Sequence, residues 1–119
     1  MKSFQDFVAE AKKSVREITP EELKAKLDRG EKIIVLDVRE KDSHLEGHVP
    51  GAASLPRGAI EMDVDEHTTD PNACIVTHCG GGSRSALAAQ TLQDMGYKNV
   101  FSLAGGLKGW KAKGFEVER

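Results

Sequence analysis

The chain has few cysteines, little net charge and no long apolar run, and each shortage excludes something. Two cysteines in 119 residues cannot supply the disulfide framework of a small secreted scaffold. They do not suit each other as partners either. Cys74 and Cys79 are five positions apart. Along one strand that is roughly 16 Å at ~3.3 Å per residue, whereas a bridge needs Cα atoms within about 7 Å. No apolar run approaches the ~20 residues of a membrane span. The N-terminal stretch from Met1 to Arg16 carries charges throughout and lacks the apolar core of a signal peptide. A reducing, cytoplasmic setting is the expectation. Net charge is −2 with both signs interspersed, which gives no support to nucleic acid or a membrane surface as partner. What remains, 39% hydrophobic and 30% charged, is the composition of one soluble globular domain with a core of its own.

Alternation of strand and helix signals without repeats or a linker predicts a single α/β domain with a mainly parallel sheet flanked by helices on both faces. An extra helix precedes it. From Ser3 to Val15, Phe4, Phe7, Val8, Ala11 and Val15 share one face at helical spacing. We expect this face to pack on the domain rather than dock a partner, and divide the chain into an extension, 1–16, and a domain, 17–119. Thr19-Pro20-Glu21-Glu22 is a capping box with proline at the first helical position, and that helix stops at Gly30. Ile33 to Val38 reads as a strand buried on both faces. Asp37 interrupts it, with Arg39 close by, so an ion pair anchoring the strand end is expected. Short helices follow over Glu40 to Glu46 and Ala59 to Val64, with a short strand over Ala53 to Leu55. His48, beside a turn, is read as a loop-fixing hydrogen-bond donor. Arg57, in a Pro-Arg-Gly corner, is either a solvated charge or a second anion contact. Cys74 to Thr77 and Asn99 to Leu103 are further strands. Helices over Ser85 to Met95 and Leu107 to Lys113 follow them, the last carrying Trp110 as a core residue with its indole N–H satisfied.

The chemistry concentrates in Thr77-His78-Cys79-Gly80-Gly81-Gly82-Ser83-Arg84-Ser85. A cysteine ends a strand and is followed by three glycines, an arginine and a helix start. Glycines let successive N–H groups converge on one anion. The helix start adds unpaired N–H groups and partial positive charge, and Arg84 adds a full charge. All of these favour thiolate, so Cys79 is expected to be acidic and nucleophilic. In parallel sheets ligands bind beyond the carboxyl ends of strands, where Cys79 falls. Zinc is not expected, because Cys74, His78 and Cys79 match no four-ligand spacing. Strand alternation also puts the two cysteines on opposite faces.

From Ile18 to Phe115 the residues resemble the rhodanese domain family. The resemblance rests on Asp37-Val38-Arg39-Glu40, Gly47-His48-Val49-Pro50-Gly51-Ala52, the Cys79 to Ser85 loop, and Leu103-Ala104-Gly105-Gly106-Leu107 with Trp110. It implies a thiosulfate or persulfide sulfurtransferase: Cys79 takes a sulfane sulfur and passes it to cyanide or a thiol. The amides of Gly80, Gly81, Gly82, Ser83 and Arg84 would cradle the persulfide. No metal or organic cofactor is implied. The implied partners are a small-molecule sulfur donor, a thiol or cyanide acceptor and a sulfur-relay protein. A carrier or regulatory module that docks to such a relay is the alternative. The related cell-cycle phosphatases place five residues between cysteine and arginine. This chain has four between Cys79 and Arg84, a ring that suits one sulfur better than a tetrahedral phosphate. The His78-Cys79 pair resembles the phosphatases, but no acid to protonate a leaving alcohol is identifiable. Ser43 and His44 depart from the family's usual acidic and aromatic residues. Gly80 stands where a basic residue is frequent, so one side-chain charge serves the loop and thiosulfate binding is expected to be weak unless Arg57 contributes.

Overall fold

The computed structural model covers Met1–Arg119. Five parallel strands form one sheet: β1 (Arg16–Ile18), β2 (Ile34–Asp37), β3 (Ala53–Ser54), β4 (Ile75–His78) and β5 (Val100–Leu103), in the order β1-β5-β4-β2-β3. The helices are α1 (Phe4–Ser14), α2 (Pro20–Asp28), α3 (Lys41–Glu46), α4 (Ile60–Asp63), α5 (Ser83–Asp94) and α6 (Gly106–Ala112). Strand alternation divides the core in two. Leu36, Ile75 and Val100 point to one face with Ile60, Val64, Ala88, Ala89 and Leu92 from the α4 and α5 regions. Val35, Val76 and Leu103 point to the other with Leu23, Leu107 and Trp110 from α2 and α6. Both faces are covered, which is why the central strands read as continuous apolar runs.

The local signals act as expected at α2. Thr19 Oγ1 accepts from the Glu22 amide at 3.1 Å, and Glu22 Oε1 accepts from the Thr19 amide at 2.9 Å. The Trp110 indole donates to the Glu116 carbonyl at 2.7 Å. Helix α1 lays Val8 and Ala11 on Ala86 and Leu87 of α5, so its inner face is spent within the chain. Phe4 and Phe7, at 46% and 49% exposed, stay at its edge.

Three features differ most from expectation. The edge strand β1 was not foreseen, because Arg16 and Glu17 are exposed and only Ile18 is buried. It forms because Arg16 to Ile18 pair in register with Phe101 to Leu103. Met95, expected as the last residue of α5, lies past its end at Asp94 and is 42% exposed. Helix α5 itself begins at Ser83, because Gly82 is the left-handed residue that caps it (φ 100°).

Candidate active site

Strand β4 lies at the centre of the sheet, and Cys79 is the first residue past its carboxyl end. The loop Gly80 to Gly82 then reverses the chain into α5. A second glycine turn holds this loop from below. The first amides of α6 donate to its carbonyls, Leu107 N to Cys79 O at 2.8 Å and Lys108 N to Gly80 O at 3.0 Å. That approach requires Gly106. A Cβ there would lie 2.6 Å from the Gly80 carbonyl carbon and 2.7 Å from the Cys79 oxygen, on a backbone at φ +57°. The two separated glycine stretches of the sequence thus form one packed unit.

Cys79 is 2% exposed. Its Sγ accepts from the amides of Gly82 at 3.1 Å and Ser85 at 3.3 Å, and it lies 3.4 Å from Ser85 Oγ. Ser85 Oγ in turn lies 2.8 Å from Ser102 Oγ on β5. Thr77 Oγ1 fixes the backbone behind them by donating to the Ser85 carbonyl at 2.8 Å. Burial is the largest single influence on the thiol and pushes its pKa up. The Ser85 hydroxyl and the Ser85, Gly82 and Gly81 amides outweigh it, so the net direction is down from 9.0. The resting sulfur therefore sits in a smaller cradle than the loop sequence suggests. Gly80, Ser83 and Arg84 make no hydrogen bond to Sγ itself; their expected role concerns an added sulfur.

Ser85 and Ser102 were missed as functional groups. A signal existed for each: Ser85 directly follows Arg84, and Ser102 is a polar interruption of an apolar strand, the same feature that singled out Asp37. Cys74 is half-buried and not bridged to Cys79. Burial, its largest influence, raises its pKa, so the two thiols are driven in opposite directions.

Arg84 and Arg57 line one pocket of about 410 Å³, together with Glu40 and Glu61. Arg57 thus lines the same cleft as the loop arginine. Asp37, at the end of β2, is fully buried. Arg39 grips it through Nε at 3.0 Å and Nη2 at 2.8 Å, and His44 Nδ1 lies 3.0 Å from its second oxygen. Burial is the largest influence on this carboxyl and raises its pKa, but Arg39, His78 and His44 together hold it below its usual range. This is the structural anchor expected. His44, one of the departures from the family pattern, fills a polar role in it. His48 Nδ1 lies 2.8 Å from the His44 carbonyl, as a loop-fixing residue should. His78 is fully buried against the same anchor: its Nε2 has no hydrogen-bond partner and lies 3.8 Å from Asp37 Oδ2. Burial drives its pKa down to about 4, so it stands beside Cys79 as a neutral ring.

The rhodanese-like domain model matches residues 19–113, a span that contains the loop, the Asp37 anchor and the Gly105-Gly106 turn. The chain belongs to the rhodanese-like domain family. Among its relatives is a Bacillus subtilis protein provisionally named a sulfur carrier. It is 34% identical over 100 residues, 84% of this chain and 53% of that one, so the chain spans about half of that relative. An Allochromatium vinosum protein named sulfurtransferase is 31% identical over 103 residues, 87% of this chain and 94% of that one. A solved structure from Rhodopseudomonas palustris, named as a protein of unknown function and possible tyrosine phosphatase, superposes with a TM-score of 0.87 at 31% identity. It covers 99% of this chain and 96% of its own. In this rhodanese-like domain the loop closes around the buried Cys79 thiol.

Proposed function

We propose that this rhodanese-like domain is a sulfurtransferase. It moves a sulfane sulfur from thiosulfate or a persulfide or polysulfide donor to a thiophilic acceptor, cyanide or a thiol, through a Cys79 persulfide. The observation that carries the proposal is the fit of the cradle to one sulfur: two amides and a hydroxyl converge on Sγ within a loop of four residues between Cys79 and Arg84. In the first half-reaction the Cys79 thiolate attacks the outer sulfur of the donor. The donor S–S bond breaks, its electron pair leaves with sulfite or a thiolate, and a Cys79 persulfide anion remains. In the second, the acceptor attacks the outer sulfur and regenerates the thiolate. Sulfur moves as a neutral atom, so no oxidant or reductant is consumed. Cys79 is the nucleophile, and the amides of Gly80, Gly81, Gly82, Ser83 and Arg84 are assigned to the added sulfur. Arg57 and Arg84 are assigned to the charge of the donor.

Partners of this reaction are a small-molecule donor and acceptor, with a sulfur-relay protein as the macromolecular alternative, in a cytoplasmic setting. The division into 1–16 and 17–119 belongs to the same proposal, although β1 begins at Arg16 and so straddles it. A phosphatase reading draws on the His78-Cys79 pair and on the name of the structural relative. The buried thiol and the short loop favour sulfur. Turnover separates the two. The protein should form thiocyanate from thiosulfate or a polysulfide plus cyanide, Cys79→Ser should abolish this, and an aryl phosphate should not be hydrolysed. Cys79-dependent phosphate release without thiocyanate would reverse the assignment.

A further inference from the structure

The pocket beside the loop holds more charge than an anion site needs. Arg84 lines it from the first turn of α5 and Arg57 from the turn after β3. Glu61 lines it from α4, and Glu40 from the start of α3. None of the four lies within ion-pair distance of an opposite charge. Two unpaired charges of each sign therefore surround one cleft of about 410 Å³, a volume in the range of small-ligand sites. A dianion gains from the arginines and is opposed by the glutamates. A ligand with separate ammonium and carboxylate groups satisfies both.

Resting on the sulfur-transfer reading of Cys79, we infer that its low-molecular-weight thiol partner is zwitterionic. It is an amino-acid or short-peptide thiol whose carboxylate meets Arg57 and Arg84 and whose ammonium meets Glu40 and Glu61. Such a persulfide is held by its charged groups beside Arg84, which closes the Cys79 loop. Cys79 thiolate then takes that sulfur, the S–S bond of the donor breaks, and the thiolate that leaves is protonated from water. Run in reverse, the same contacts seat the thiol as acceptor. Glu40 and Glu61 thus set specificity against simple dianions, and thiosulfate is the poorer donor.

The test compares Cys79 loading, read by mass, from the persulfides of cysteine, cysteamine and 3-mercaptopropionate. These carry both charged groups, the ammonium alone and the carboxylate alone. Each rate is divided by that persulfide's reaction with a small thiolate in solution. Cysteine persulfide should load about fivefold faster than either of the others, the scale of partly exposed charge contacts. Glu40→Gln with Glu61→Gln should slow the cysteine and cysteamine persulfides and speed 3-mercaptopropionate persulfide and thiosulfate. Arg57→Gln should slow the two persulfides that carry a carboxylate. Equal loading by all three persulfides, or a ranking unchanged in the glutamate variant, overturns the inference while leaving sulfur transfer intact. If no persulfide, thiosulfate or inorganic polysulfide places sulfur on Cys79, the sulfur-transfer reading falls as well.

Discussion

Replacing Ser85 with alanine removes the hydroxyl that lies 3.4 Å from Cys79 Sγ and 2.8 Å from Ser102 Oγ. While Cys79 is a thiol, its S–H donates to Ser85. Once it ionises, Ser85 must turn and donate to the sulfur, and Ser102 becomes the donor to Ser85. The hydroxyl therefore stabilises the charged form through a hydrogen bond of the stronger, ion-assisted kind, about 1.5–3 kcal/mol. A contact of this length to sulfur belongs at the lower end, about 1.5 kcal/mol, which is about one pH unit in the thiol pKa. Ser102→Ala removes only the support behind that bond. Polarisation along a hydrogen-bond chain is worth about 10–30% per bond, so the expected shift is roughly 0.2 pH unit in the same direction. The thiolate's ultraviolet absorbance, followed against pH in a Cys74→Ala background, reads this without requiring access to the buried sulfur. The expected order of pKa is parent lowest, then Ser102→Ala, then Ser85→Ala, with Ser85→Thr close to the parent. An unshifted midpoint in Ser85→Ala would refute the role given to the hydroxyl.

Two further outcomes follow from groups around the loop. His78 has a folded-state pKa of about 4 against an ordinary 6.5, so below 6.5 the unfolded chain binds a proton that the folded one refuses. Stability should therefore fall as pH drops across that window, by about 3 kcal/mol at its lower end, and urea unfolding of His78→Gln should lose this slope. A parent protein with no slope there would contradict it. The Asp37 carboxyl, held below its usual 3.8, contributes stability lost only at lower pH and so does not overlap. Gly106→Ala should cost about 2–4 kcal/mol, from a left-handed backbone and from collision with the Cys79 and Gly80 carbonyls, and should raise the Cys79 pKa by displacing the cradle. Gly51→Ala, at φ +82° with open space around it, should cost about 1 kcal/mol and leave the thiol unchanged. Equal losses in thermal melts would sink the packing argument.

The sequence made legible those features that depend on neighbours along the chain. The Thr19-Glu22 capping box, the glycine stops, the two-sided burial of β2 and the pairing of Asp37 with Arg39 are all local or periodic signals. What it hid depends on contacts across the fold. Strand β1 carries no apolar run and exists because its backbone pairs with β5, with Arg16 over the Phe101 ring at 4.2 Å. Ser102 reaches the cysteine only because β5 lies beside β4. The need for glycine at 106 appears only once the Cys79 loop is packed against the start of α6. Arg57 supports two readings in sequence alone, because sequence does not say which loops share a pocket. Its neighbours Glu40 and Glu61 could not be found at all without the fold.

Whether Cys79 carries the transferred sulfur is decided most directly by intact mass and peptide mapping after incubation with a sulfane sulfur donor and removal of excess donor. The protein should gain the mass of one sulfur atom, located on the Cys79 peptide, and lose it stoichiometrically as thiocyanate when cyanide is added. A protein that gains no sulfur from thiosulfate, polysulfide or any persulfide, or gains it on Cys74 while Cys79 stays unmodified, would contradict the assignment.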